Sequence, residues 1–128
     1  MTSTDTTIAG SKAADISNMV VRLTSQYTGR GPTKARTYIN DDLVTVVLQD
    51  SLTKGERTLV AHAHHELVLS TRRAFQQAMQ ADFVAGIQEI LGRQVGAFLS
   101  ANHADPDYAV EIFILAPDAG PSAPAASD

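Results

Sequence analysis

The run Leu43-Val44-Thr45-Val46-Val47-Leu48 constrains the fold more than any other stretch of the sequence. Its residues are all apolar or β-branched and favour a pleated strand, and their lack of clean alternation marks a strand that is central or buried on both faces. Just upstream, Thr37 and Ile39 carry the same β character. Between the two segments, Asn40-Asp41-Asp42 have side chains that bond to their own backbone and favour turns. The whole stretch therefore predicts a β-hairpin.

A helical piece precedes this hairpin. From Ala13 to Tyr27, the residues Ile16, Met19, Val20, Leu23 and Tyr27 recur at helical spacing and form one apolar stripe, which Gly29 ends. A second helical segment follows the hairpin. Thr53-Lys54-Gly55-Glu56 fits a capping box, in which the Thr hydroxyl takes the third amide of the helix and Glu56 reaches back to the Thr53 amide. The segment continues through Leu59, Ala63, Leu67, Ala74 and Ala78 to Leu91, either as two helices or as one bent near Gln80, with Asp82 able to cap a fresh start. Val95, Ala97, Leu99 and Ala101 then alternate as one face of a strand, Asp105-Pro106-Asp107 is turn chemistry, and Tyr108 to Leu115 is the last strand. The predicted fold is α+β in the order α-β-β-α-α-β-β, with two hairpins joined in a four-stranded, mostly antiparallel sheet covered by helices.

At 128 residues the chain is long enough for one self-sufficient core. Residues 1–11 and 117–128 are small and polar, with little to bury, and read as disordered N- and C-terminal tails around a single domain over residues 12–116. No window approaches the ~18 apolar residues of a membrane span, and the start lacks a signal-peptide pattern, so no direct membrane insertion is expected. The absence of cysteine removes thiolate zinc sites and cysteine nucleophiles and fits a cytoplasmic location. With 10 Lys+Arg against 14 Asp+Glu, the net charge of −4 makes nucleic acid an unlikely partner for the molecule as a whole. Only a local basic patch would attract it.

One such patch exists. Tyr27-Thr28-Gly29-Arg30-Gly31-Pro32-Thr33-Lys34-Ala35-Arg36 holds three cations and no acid. Glycines let the chain turn with its amides outward, and Arg30, Lys34 and Arg36 around them would suit a phosphate, a carboxylate or bicarbonate. The pattern is not a Walker loop, because the proline leads into a strand rather than a helix. Two readings stay open: a bend with solvated cations, or a partner- or anion-binding surface formed by Gly29, Arg30, Gly31, Pro32, Lys34 and Arg36.

Other constellations are weaker. His62 and His65, at i and i+3 of one helix, have the spacing of two metal ligands, but Glu66 follows both histidines, so the HExxH order is missing. These histidines, with His64, read as exposed or interface residues, and no metal or other cofactor is expected. Arg72-Arg73 has three readings, pairing with acids a turn away, facing a partner or solvated surface, of which the last is preferred. No GxSxG, cysteine or paired-carboxylate arrangement suggests catalysis, so the chain is not expected to be an enzyme.

Taken in order, Gly29-Arg30-Gly31-Pro32, Arg36, Asp42 before Leu43–Leu48, Leu52-Thr53 with Glu56, the Arg72/Arg73 segment, Leu91-Gly92-Arg93-Gln94-Val95 and Glu111–Leu115 resemble the MpsC family of small bacterial proteins. The resemblance covers about residues 13–115. It implies an association with a membrane system proposed to generate membrane potential by sodium translocation or bicarbonate uptake, whose integral subunits are separate proteins. The family supplies no established catalytic residues. By position, Gly29, Arg30, Gly31, Pro32 and Arg36 match its signature loop, Asp42 matches its hairpin acid, and the histidines lie outside its pattern.

These readings combine in a non-enzymatic accessory or regulatory protein that docks on a partner, such as an integral membrane transporter subunit, at the cytoplasmic side of an ion or bicarbonate transport system. The alternative is a nucleic-acid or small-anion-binding module that uses the Gly-Arg-Gly-Pro loop. A homodimer is also expected, because a helix of about 26 residues from Lys54 to Met79 would span roughly 40 Å, more than so small a domain requires.

Overall fold

The computed structural model describes residues 2–117, with side chains from Gly10 onward. Seven elements follow in order: α1 (Thr2–Thr28), β1 (Lys34–Asn40), β2 (Leu43–Gln49), α2 (Lys54–Ala61), α3 (His65–Leu91), β3 (Val95–His103) and β4 (Tyr108–Leu115). The four strands form one antiparallel sheet in the order β1-β2-β4-β3. The α+β class and the element order match the sequence expectation. The expected tail from residue 118 lies outside the described residues. At the other end α1 reaches back to Thr2, into the stretch read as a tail, because an apolar stripe marks only the part of a helix that packs.

Helices cover one face of the sheet. Ile16, Met19 and Val20 of α1 and Met79, Phe83 and Ile87 of α3 pack on Val44, Val46 and Leu48 of β2 and on Ala109, Phe113 and Leu115 of β4. Phe83, Phe98 and Phe113 meet at the centre with ring centroids 5.1–6.4 Å apart. Successive strand residues point to opposite faces, so the intervening positions of all four strands face away from the helices. β2 is central, between β1 and β4, as its composition implied. It is buried on one face rather than two.

Three expectations change. The helical break falls at His62-Ala63-His64 and not near Gln80: Ala63 adopts a left-handed φ of 66°, while α3 runs unbroken past Gln80 and Asp82. Asp82 therefore starts no helix, and instead its carboxylate accepts a 2.7 Å hydrogen bond from the Tyr27 hydroxyl. The buried face of α3 is Val68, Arg72, Gln76, Met79, Phe83 and Ile87, and Leu67 is 54% exposed. The single long helix expected from Lys54 is divided into α2 and the 27-residue α3. Finally, a bulge between Val95 and Ala97 takes Val95 off the face that Ala97, Leu99 and Ala101 share. Val95 and Phe98 pack against the core, while Leu99 is half exposed on the opposite face.

Candidate functional site

The basic loop is first of all a joint. Gly29 closes α1 with φ 84°, a conformation that a side chain disfavours, and its amide donates to the Ser25 carbonyl at 2.9 Å. A Cβ on Gly31 would stand 3.3 Å from Val21, so the chain passes tightly over α1 before the buried Pro32. Arg30 then crosses to the β2–α2 connection. Its Nη2 lies 3.0 Å from the Asp50 carbonyl and 3.0 Å from Asp50 Oδ2. The Thr33 hydroxyl donates to the same carboxylate at 3.0 Å, and Arg57 reaches its other oxygen at 3.4 Å. The Thr33 hydrogen bond, assisted by Arg30 and Arg57, holds Asp50 below the usual carboxylate range.

The six residues singled out in the sequence thus divide. Gly29, Arg30, Gly31 and Pro32 build and brace the turn. Lys34 and Arg36 sit two apart on β1, on the sheet face that carries no helix, and both are exposed. Tyr38 follows at the next outward position. These three side chains, with Thr33, Gln49 and Tyr108, line a shallow depression of about 580 Å³. Gln49 Nε2 donates to the Tyr108 hydroxyl at 2.8 Å across its floor. Arg30, Arg57, Arg72 and Arg93 are all engaged in ion pairs, whereas Lys34 and Arg36 have none among the described residues.

A second polar site, under α3, was not legible in the sequence. Arg72, read there as solvated surface, is only 5% exposed. Its Nη2 donates to Ser51 Oγ at 2.7 Å, and its Nη1 lies 3.4 Å from Glu56 Oε1. Glu56 also completes the expected capping box, accepting from the Thr53 amide at 2.8 Å while its own amide donates to Thr53 Oγ1 at 3.1 Å. One turn along α3, Gln76 and Asn102 exchange amide hydrogen bonds at 3.0 and 2.8 Å, and Gln76 Nε2 also donates to Glu111 Oε2 at 3.0 Å. Ser100 Oγ donates to the other Glu111 oxygen. Burial pushes Glu111 up to about 7, against the opposing pull of Ser100, Gln76 and Arg72. With both carboxylate oxygens engaged, this cluster is suited to holding a charge or a proton in place. One signal could have found it: Glu111 lies in phase with the inward positions Ala109, Phe113 and Leu115.

The histidines form no site together. His62 lies at the end of α2 and His65 at the start of α3, so the helical i, i+3 relation between them does not exist. His62, His64 and His65 are exposed. Among the described residues no three His, Cys, Asp or Glu side chains converge in a way that could hold a metal ion. Among the described residues no helix is long and apolar enough to cross a membrane.

No curated protein and no solved structure matches the chain. A family model does: residues 9–117 match MpsC, described as a Na+-translocating membrane potential-generating system. That match takes in every strand, α2, α3, the basic turn and the Glu111 cluster. The chain belongs to the MpsC family.

Proposed function

We propose that this chain is a non-enzymatic accessory protein of a membrane potential-generating system, and that it docks on a partner component through the basic part of its open sheet face. Lys34 and Arg36 carry this reading: they are near neighbours on one strand, exposed and unpaired among the described residues, while Arg30 of the same loop is held by Asp50. The family description supplies the system. A protein of this kind contributes through contact with a component that spans the membrane, an integral subunit that moves an ion or bicarbonate. The partner's complementary chemistry is acidic, and docking would take place on the cytoplasmic side. Exposed charges of this kind act mainly on association rate and specificity, so the docking should weaken as salt rises.

The test is binding of the full chain to detergent-solubilised membranes, comparing the unchanged protein with a Lys34→Glu/Arg36→Glu variant. Arg30 is left intact because it braces the turn through Asp50. Binding that falls at least tenfold in the variant, with an unchanged circular dichroism spectrum, supports the reading. Unchanged binding refutes it. Retention on DNA or RNA, lost steeply with salt, would instead favour a nucleic-acid-binding module, for which the same two cations would serve as phosphate contacts.

A further inference from the structure

The rest of the open sheet face has a different chemistry. On β2, β4 and β3 its outward positions are mostly apolar, and Leu43, Leu99 and Ile114 are 40–50% exposed. No helix of the described residues covers them, since α1 and α3 both pack on the opposite face. A monomer rarely leaves a contiguous apolar patch of more than a few hundred Å² in water. A two-layer fold with an uncovered apolar sheet has one cover always available: the same face of another copy.

The register makes this face self-complementary. Across the sheet, Leu43 of β2 lies in one row with Ile114 of β4 and Ala97 of β3. In the neighbouring rows, Thr45 aligns with Ile112 and Leu99, and Val47 aligns with Val110 and Ala101. Large side chains on β2 thus share rows with small ones on β3, and Leu99 of β3 shares its row with the smaller Thr45. A two-fold axis running along β4 stacks β2 of one copy over β3 of the other. Leu43 then stands over Ala97, Val47 over Ala101 and Leu99 over Thr45, while each β4 side chain meets its own counterpart. Because β1 lies outside the three overlaid strands, Lys34 and Arg36 remain at the rim, where their positive charges are kept apart.

We propose that a second copy of this chain packs face to face on β2, β4 and β3, giving a helix-sheet-sheet-helix dimer. Three strands of seven residues present a flat footprint of about 14 by 24 Å, so two copies cover about 700 Å² before relief. Side-chain relief raises the buried surface to about 1,000 Å², at the small end of specific interfaces. A dissociation constant in the micromolar range is expected for so small an interface. The dimer does not rest on the docking reading, because the cations stay outside the interface.

The experiment is sedimentation velocity of the full chain from about 1 to 100 μM, a range set around that micromolar expectation. Reversible dimerisation is expected, with Leu99→Glu and Ile114→Glu each weakening it more than tenfold, since each places an unpaired charge between the sheets. Lys34→Glu/Arg36→Glu leaves it unchanged, which separates this interface from the docking surface. The chain has no native cysteine. Ile114→Cys, opposite its own counterpart, should therefore give a covalent dimer with a short bis-maleimide, a readout that survives if a glutamate variant misfolds. A monomer across the whole range, or a dimer that persists in both glutamate variants and fails to cross-link, overturns the proposal.

Discussion

Replacing Glu111 by glutamine should stabilise this protein at alkaline pH and leave it little changed in acid. Glu111 is 2% exposed, and burial raises its carboxyl from 4.5 to about 7. The folded state therefore binds this proton more tightly than the unfolded chain, so this group's contribution is fully present below about pH 4.5 and falls as pH rises through 7. A difference of roughly 2.5 pH units corresponds to about 3 kcal/mol lost by pH 8. Glutamine has the shape of the protonated acid. Its amide can donate to Ser100 Oγ while its carbonyl accepts from Gln76, so both hydrogen bonds persist without the buried charge. Chemical denaturation at pH 5, 6, 7 and 8 is the assay. The variant should match the parent at pH 5 and exceed it by on the order of 1–3 kcal/mol at pH 8, with the difference growing between. A constant difference across the series, or a variant less stable at pH 8, would refute the reasoning, because it would mean that Arg72 and the hydrogen-bond donors hold Glu111 ionised.

Other consequences follow from the same packing. Arg72→Met removes the guanidinium between Ser51 and Glu56 and should destabilise the fold by about 2–3 kcal/mol in urea titrations. It should also raise the Glu111 titration further, measurable by carbon NMR of its side chain, and a midpoint that stays put would show that Arg72 does not act on it. Gly29→Ala forces a side chain into the left-handed φ of 84° and should cost about 1 kcal/mol, read as a lowered melting temperature.

Much of the fold was legible because its local signals agree with its tertiary structure. Asn40-Asp41-Asp42 announces a turn, and Asp41 indeed takes a positive φ of 54°. The Thr53–Glu56 capping box forms as spaced, and Gly29 and Gly92 end their helices where the apolar stripes stop. The failures have separate causes. Arg72 and Gln76 are polar residues on the buried face of α3, so the apolar pattern does not mark them as buried. The break at Ala63 carries no glycine or proline and left no signal in composition. Alternation in β3 holds for Ala97, Leu99 and Ala101 and fails only for Val95, where the bulge at Val95/Ala97 shifts the phase by one residue.

The candidate site was half legible. A cluster of three cations without an acid nearby in sequence looks like one surface. Asp50 lies 20 residues from Arg30 along the chain, and only the packing of the α1–β1 turn against the β2–α2 connection brings them together. Lys34 and Arg36 escape that fate because strand alternation points both away from the helices.

The central claim is that those two cations meet a membrane-system partner. Its most direct test is photo-crosslinking in cells from a photoreactive residue at position 36, with the captured proteins identified by mass spectrometry. The account predicts capture of an integral membrane subunit of an ion or bicarbonate transport system, absent when the probe sits instead at the exposed Gln80 on α3. Capture of only soluble proteins or nucleic acid from position 36, or the same membrane protein from both positions, would contradict it.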